Sequence, residues 1–176
     1  MKRIAVLCLL LVQTLVSGCP LLTHVAADHG NCTIAPGLRG RWHEVNELGK
    51  PEREWMVERD LQKGNLTIYS VDSERKVNYA DSRKGIMSKM GDHLFLFVRN
   101  EGDDGTDEGY YIFEFRPVNR DEFVLAGIRQ NALPYAATPF EINKFLRENG
   151  QKQEIYDPNE TTTFRRAAEP APHPFD

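Results

Sequence analysis

The chain predicts a mainly β domain: antiparallel strands in an up-and-down barrel or strongly curled sheet, one late helix, and a final short strand. Three observations predict it. Between residues 38 and 166 the apolar residues recur mostly with period two, in runs too short for helices. Turn-forming stretches separate the runs, among them Asp72-Ser73-Glu74, Gly91-Asp92 and Asn119-Arg120-Asp121. A single segment stands out with helical spacing. β-branched and aromatic residues fit a half-buried pleated surface, and a sheet of many strands curls or closes to protect its edges.

The elements follow in order. Trp42, Glu44 and Asn46 alternate with His43 and Val45 in the first strand, and Trp55-Met56-Val57 is the centre of the second. Leu66 to Val71 makes the third, and Val77 and Tyr79 begin a fourth that pairs back across the intervening turn. Leu94 to Val98 is a fifth. In the sixth, Tyr110 to Arg116, Tyr111, Phe113 and Phe115 share one face while Glu114 and Arg116 take the other. Phe123 to Ile128 is the seventh. Thr138, Pro139 and Glu141 then form a capping box with proline in the first turn, Ile142, Phe145 and Leu146 supply an apolar stripe, and Gly150 is a stop. Thr161 to Arg166 is the last strand.

The ends read differently. Met1-Lys2-Arg3 precedes an apolar stretch from Ile4 to Val16, the arrangement of an export signal. At roughly 13 residues the stretch is shorter than the ~20 a membrane-spanning helix needs. Leu15-Val16-Ser17-Gly18-Cys19 resembles a bacterial lipobox. The resemblance implies that residues 1–18 are a lipoprotein signal peptide and that Cys19 carries acyl chains of the palmitate kind. Two or more such chains hold a protein firmly to a bilayer. The expected address is the bacterial cell envelope, membrane-anchored, with inner or outer membrane left open. The alternative is cleavage after Val25-Ala26-Ala27, which gives a secreted or periplasmic protein. Residues 19–37 read as a flexible tether, 38–166 as the β domain, and 167–176 as a disordered Pro/Ala tail. Cys8 leaves with the signal and Cys32 stands alone, or pairs with Cys19 if that thiol is not acylated.

Gly40-Arg41-Trp42, Phe145-Leu146 and Phe164-Arg165-Arg166 give the domain a resemblance to the lipocalin, or calycin-type, barrel, and to a group of uncharacterised bacterial lipoproteins. The resemblance implies that Gly40 and Trp42 mark the barrel base and that Arg165 or Arg166 packs over the Trp42 ring.

Charge and motifs narrow the function. The 22 Lys and Arg against 26 Asp and Glu give a net charge of −4, and losing Lys2 and Arg3 with the signal makes the chain more acidic still. That argues against nucleic acid as a partner. His24, His29, His43, His93 and His173 form no pair at metal-binding spacing, and the acidic stretch from Glu101 to Glu108 lacks the closing ligand of a calcium loop. There is no nucleophile elbow and no phosphate-binding glycine loop. The expectation is a protein without catalytic residues, metal or cofactor. Its aromatic residues Tyr69, Tyr79, Phe95, Phe97, Tyr111, Phe113 and Phe115 are candidates to line a ligand cavity, with Arg99, Arg116 and Arg129 at a polar rim. A small apolar or amphipathic, lipid-like ligand would sit there. The competing expectation is a solid-packed barrel acting as a protein-interaction module, an envelope assembly factor or inhibitor with an unnamed partner. Replacing Cys19 by Ser is expected to release the protein from membranes into the soluble fraction, and Cys19→Ser remaining in the membrane pellet would refute the anchor.

Overall fold

A computed structural model describes residues 22–23, 37–59, 65–101, 107–129, 131–133 and 137–168. The signal, Cys19, Cys32, the acidic loop tip and the end of the tail lie outside the described residues. Eight strands wind around one axis: β1 (Gly40–Val45), β2 (Pro51–Arg59), β3 (Asn65–Val71), β4 (Val77–Met90), β5 (His93–Glu101), β6 (Asp107–Asn119), β7 (Glu122–Ile128) and β8 (Tyr156–Arg166). Each pairs antiparallel with its neighbour in sequence, and β8 also pairs with β1, so the sheet closes. A helix, α1 (Pro139–Asn149), intervenes between β7 and β8. A two-residue strand, Leu22–Thr23, lies beside Tyr111 and Tyr110 of β6. No helix among the described residues is long and apolar enough to cross a membrane.

Closure gives each strand two faces with different neighbours. Inward residues, including Trp42, Val57, Leu66, Met87, Leu96, Phe115 and Phe123, form a core in the lumen. Outward residues of β4 to β7, such as Ile86, Phe95, Phe97, Ile112 and Ile128, form a second core beneath Ile142 and Leu146 of α1. This explains why Leu94 to Val98 is apolar without alternation: Leu96 faces the lumen, while Phe95 and Phe97 face the helix. Burying each such side chain stabilises the fold by about 1.5–3 kcal/mol.

The helix begins as its sequence requires. The Thr138 side chain accepts from the Glu141 backbone N–H, and the Glu141 carboxylate accepts from the Thr138 N–H at 2.7 Å. Glycine stands at position 150, just past the helix, for a steric rather than a conformational reason: its backbone is right-handed, and a Cβ there would meet the Leu146 carbonyl at 2.8 Å and the His93 ring at 3.1 Å. Two strands are longer than their apolar runs. β4 continues through the polar Ser82-Arg83-Lys84 to Met90, with a bulge that pairs Tyr69 with Ser82 but Ser70 with Asn78. β8 begins at Tyr156, five residues before the expected Thr161, and it too has a register shift.

One end of the barrel is sealed. The Trp42 indole N–H donates to the Leu38 carbonyl at 2.8 Å, and the Arg166 guanidinium lies 4.4 Å from the Trp42 ring centroid. Arg166 also donates to the carbonyls of Gly37 and Arg39 and to Asp121. Gly40 is demanded twice over, by a φ of 127° and by Arg166 Nη1 standing 2.9 Å from where a Cβ would be. Arg165 points elsewhere and pairs with Glu122 at 2.9 Å on the exposed surface. Arg166→Ala is expected to cost about 2–3 kcal/mol in urea unfolding, from the ring contact and the lost hydrogen bonds. Arg165→Ala is expected to cost no more than about 1 kcal/mol. A larger loss at Arg165 than at Arg166 would refute this assignment.

Candidate functional site

The lumen is filled unevenly. Toward the sealed end Phe123 makes an edge contact with Trp42 at 4.7 Å, lies 4.8 Å from Phe115, and stacks on Phe164 at 4.9 Å. These rings leave a cavity of about 140 Å³ bordered by Trp55, Ile68, Val98, Tyr111, Phe113 and Leu125, among others. Trp55 and Arg83 border both this cavity and an open basin of about 610 Å³ beside the β1–β2 and β3–β4 hairpins. The candidate site is this apolar lumen with its charged mouth.

The residues expected to line a cavity divide by strand parity. Tyr111, Phe113 and Phe115 face the lumen. Phe95 and Phe97 do not: they are completely buried in the outer core, because the inward positions of β5 belong to Leu94, Leu96 and Val98. Tyr69 and Tyr79 are also outside, in an edge contact at 5.3 Å, with Tyr79 exposed on the β4 bulge. The rings the expectation missed are Trp42, Trp55, Phe123 and Phe164. Trp42 and Phe123 lie near the starts of β1 and β7, Trp55 in the middle of β2 and Phe164 near the end of β8, so the lumen draws its rings from four strands that meet only through closure.

The expected rim arginines are likewise outward. Arg116 lies over the Tyr156 ring at 4.5 Å, and Arg129 Nε donates to the Tyr156 carbonyl at 2.9 Å. Arg99 is on the outward face, opposite Tyr110. The cation that borders both cavity and basin is instead Arg83, two residues after the bulge, while Arg53 and Arg75 border the basin alone. Its guanidinium lies 6.0 Å from the Trp55 ring centroid, and the Trp55 indole N–H donates to Glu44 at 3.2 Å.

The mouth is braced from outside. Arg41 donates to Glu54 at 2.7 Å, and Arg75 approaches the same carboxylate at 3.4 Å. Arg75 occupies the left-handed turn position, φ 62°, in a loop whose backbone N–H groups at Glu74 and Lys76 donate to Asp72. Its own carbonyl accepts from Arg41, and its side chain donates to the Ala168 carbonyl. Burial pushes the Glu54 carboxyl up, but the Arg41 hydrogen bond and the Arg75 charge outweigh it and hold the group below its usual range.

A second polar cluster lies on the other side of the wall. Glu114, 4% exposed, takes His93 Nδ1 on one oxygen at 2.5 Å and Arg116 Nε on the other. The Tyr156 hydroxyl donates to the Gly150 carbonyl at 2.5 Å, and burial and then the Glu114 charge push its ionisation far up, so it stays a neutral donor. A histidine on a carboxylate is the form a general base takes, but both Glu114 oxygens are committed to holding β5, β6 and the helix end together. Among the described residues no three His, Cys, Asp or Glu side chains converge to hold a metal. His43 borders the basin.

Fold and site together define a closed, eight-stranded, antiparallel barrel with an apolar lumen. No protein-family model and no curated protein matches the chain. Among solved structures the barrel is similar to a DUF4909 family protein from Staphylococcus aureus subsp. aureus Mu50, with 14% sequence identity and a TM-score of 0.42 over 72% of this chain and 95% of that one.

The Glu54 brace makes stability depend on pH with a definite sign. A carboxyl whose folded pKa is lowered contributes fully above the unfolded value of 4.5, and the contribution disappears as pH falls through the folded value. Glu54→Gln is expected to cost about 1–2 kcal/mol at pH 7 in chemical denaturation, with the difference from the parent protein shrinking below pH 4.5. A difference that grows on acidification would contradict the assigned brace.

Proposed function

We propose that this protein is a non-enzymatic lipoprotein of the bacterial cell envelope, tethered through Cys19, whose barrel takes a small apolar or amphipathic ligand into its lumen. The observation that carries this reading is the unfilled space of about 140 Å³ among close-packed aromatic and aliphatic side chains. A larger side chain, at Val98 for instance, would fill part of it. A cavity of about 150 Å³ suffices for benzene. The apolar part of the ligand is therefore a ring or a short chain of about six to eight carbons, rather than a whole long-chain lipid.

A second reading, an interaction module for an envelope assembly factor or inhibitor, draws support from two exposed apolar side chains, Leu48 and Phe140, at 80% and 76% exposure. The lumen decides between them. Toluene is expected to raise the thermal midpoint of the parent protein by binding the folded state alone. Val98→Phe, which takes up part of the cavity, is expected to reduce that rise at least severalfold while keeping or increasing the midpoint without toluene. A parent protein whose midpoint ignores toluene favours the interaction module.

A further inference from the structure

We propose that the ligand is a small monocarboxylate, its apolar body in the lumen and its carboxylate on Arg83 at the mouth. The inference deepens the lumen reading above and rests on it. It starts from an asymmetry in the cavity wall: among the described residues Arg83 is the one charged residue bordering the cavity, and it borders the basin as well. A body held against Phe113 and Leu125 with its head at the mouth therefore presents that head to a guanidinium.

That guanidinium is uncommitted. Apart from the Trp55 ring, it has no ion pair or hydrogen bond among the described residues. The acids around it are occupied or stand off. Glu54 is held by Arg41 and Arg75, Glu44 accepts from the Trp55 indole, and Asp72 accepts from its own turn. Glu52 and Asp81 border the basin without reaching Arg83. An unpaired arginine fork matches the geometry of a carboxylate, forming two parallel charge-assisted hydrogen bonds. The basin is bordered by Glu52, Glu54, Asp72 and Asp81 against Arg53, Arg75 and Arg83, a slight acidic excess that weighs against a second negative charge on the ligand. The cavity volume sets the length: a benzoate-sized or hexanoate-sized body fills it, and a longer chain meets the Phe123, Trp42 and Phe164 rings.

The test compares benzoate with its neutral analogue benzyl alcohol on the full-length protein, followed by tryptophan fluorescence and thermal midpoint at pH 7. Benzoate is expected to bind about tenfold tighter than benzyl alcohol, the worth of one charge-assisted pair at a partly exposed site. Arg83→Gln is expected to bring benzoate down to the benzyl alcohol level, Arg83→Lys to restore part of the preference, and added salt to weaken it in the parent. Equal affinity for the two compounds, or a benzoate preference that survives Arg83→Gln, overturns the carboxylate assignment and leaves the lumen as a neutral binding site. Binding of neither compound overturns the lumen reading and this inference together.

Discussion

The structure depends on β8 returning to β1. That pairing turns a meander into a ring, and a ring has no edges to protect. Arg166 secures it at the point where the strands meet, lying over Trp42 while its N–H groups reach the carbonyls of Gly37 and Arg39. The same contact closes one end of the lumen, because the indole N–H holds Leu38 across the opening. Gly40 permits the approach, since any side chain there would occupy the space of the guanidinium. Closure and sealing are therefore one interaction, made by Trp42 and Arg166, 124 positions apart in the chain.

The ring then divides the protein into two cores with one wall between them. The wall of β4 to β7 is apolar on both faces, inward toward the rings of Phe115 and Phe123, outward toward α1. This arrangement leaves the helix outside the barrel and the lumen free of it. The buried Glu114, with His93 and Arg116, belongs to the helix side and fixes where α1 ends, through Tyr156 and Gly150. The mouth is braced separately, by Glu54 between two arginines. Polar chemistry in the wall thus supports the shape of the lumen without entering it.

Function follows from what that shape leaves over. A small barrel fills its interior with its own side chains unless there is a reason not to. Here the filling is incomplete by about 140 Å³, beside Arg83, the one charged residue among the described residues that borders the space. In the proposed reading the ligand is compact with one polar end, and Trp55 and Arg83 at the mouth would select it.

The sequence by itself determined where strands, turns and the helix lie, because turn chemistry, the capping box and period-two runs are local properties. It also marked Gly40, Trp42 and the pair Arg165 and Arg166 as a base. It did not separate the two arginines, since neighbours on a strand point to opposite faces and only the closing register decides which meets Trp42. For the same reason Phe95 and Phe97 were indistinguishable from lumen residues: a wall buried on both sides has no polar face to show its parity. Arg83 was illegible as a site because it sits in a polar stretch, and a three-residue bulge on β4 sets its direction. The tertiary structure alone decided which residues face inward, how much space they leave, and which charge stands at its entrance, because each depends on the pairing of strands distant in the chain.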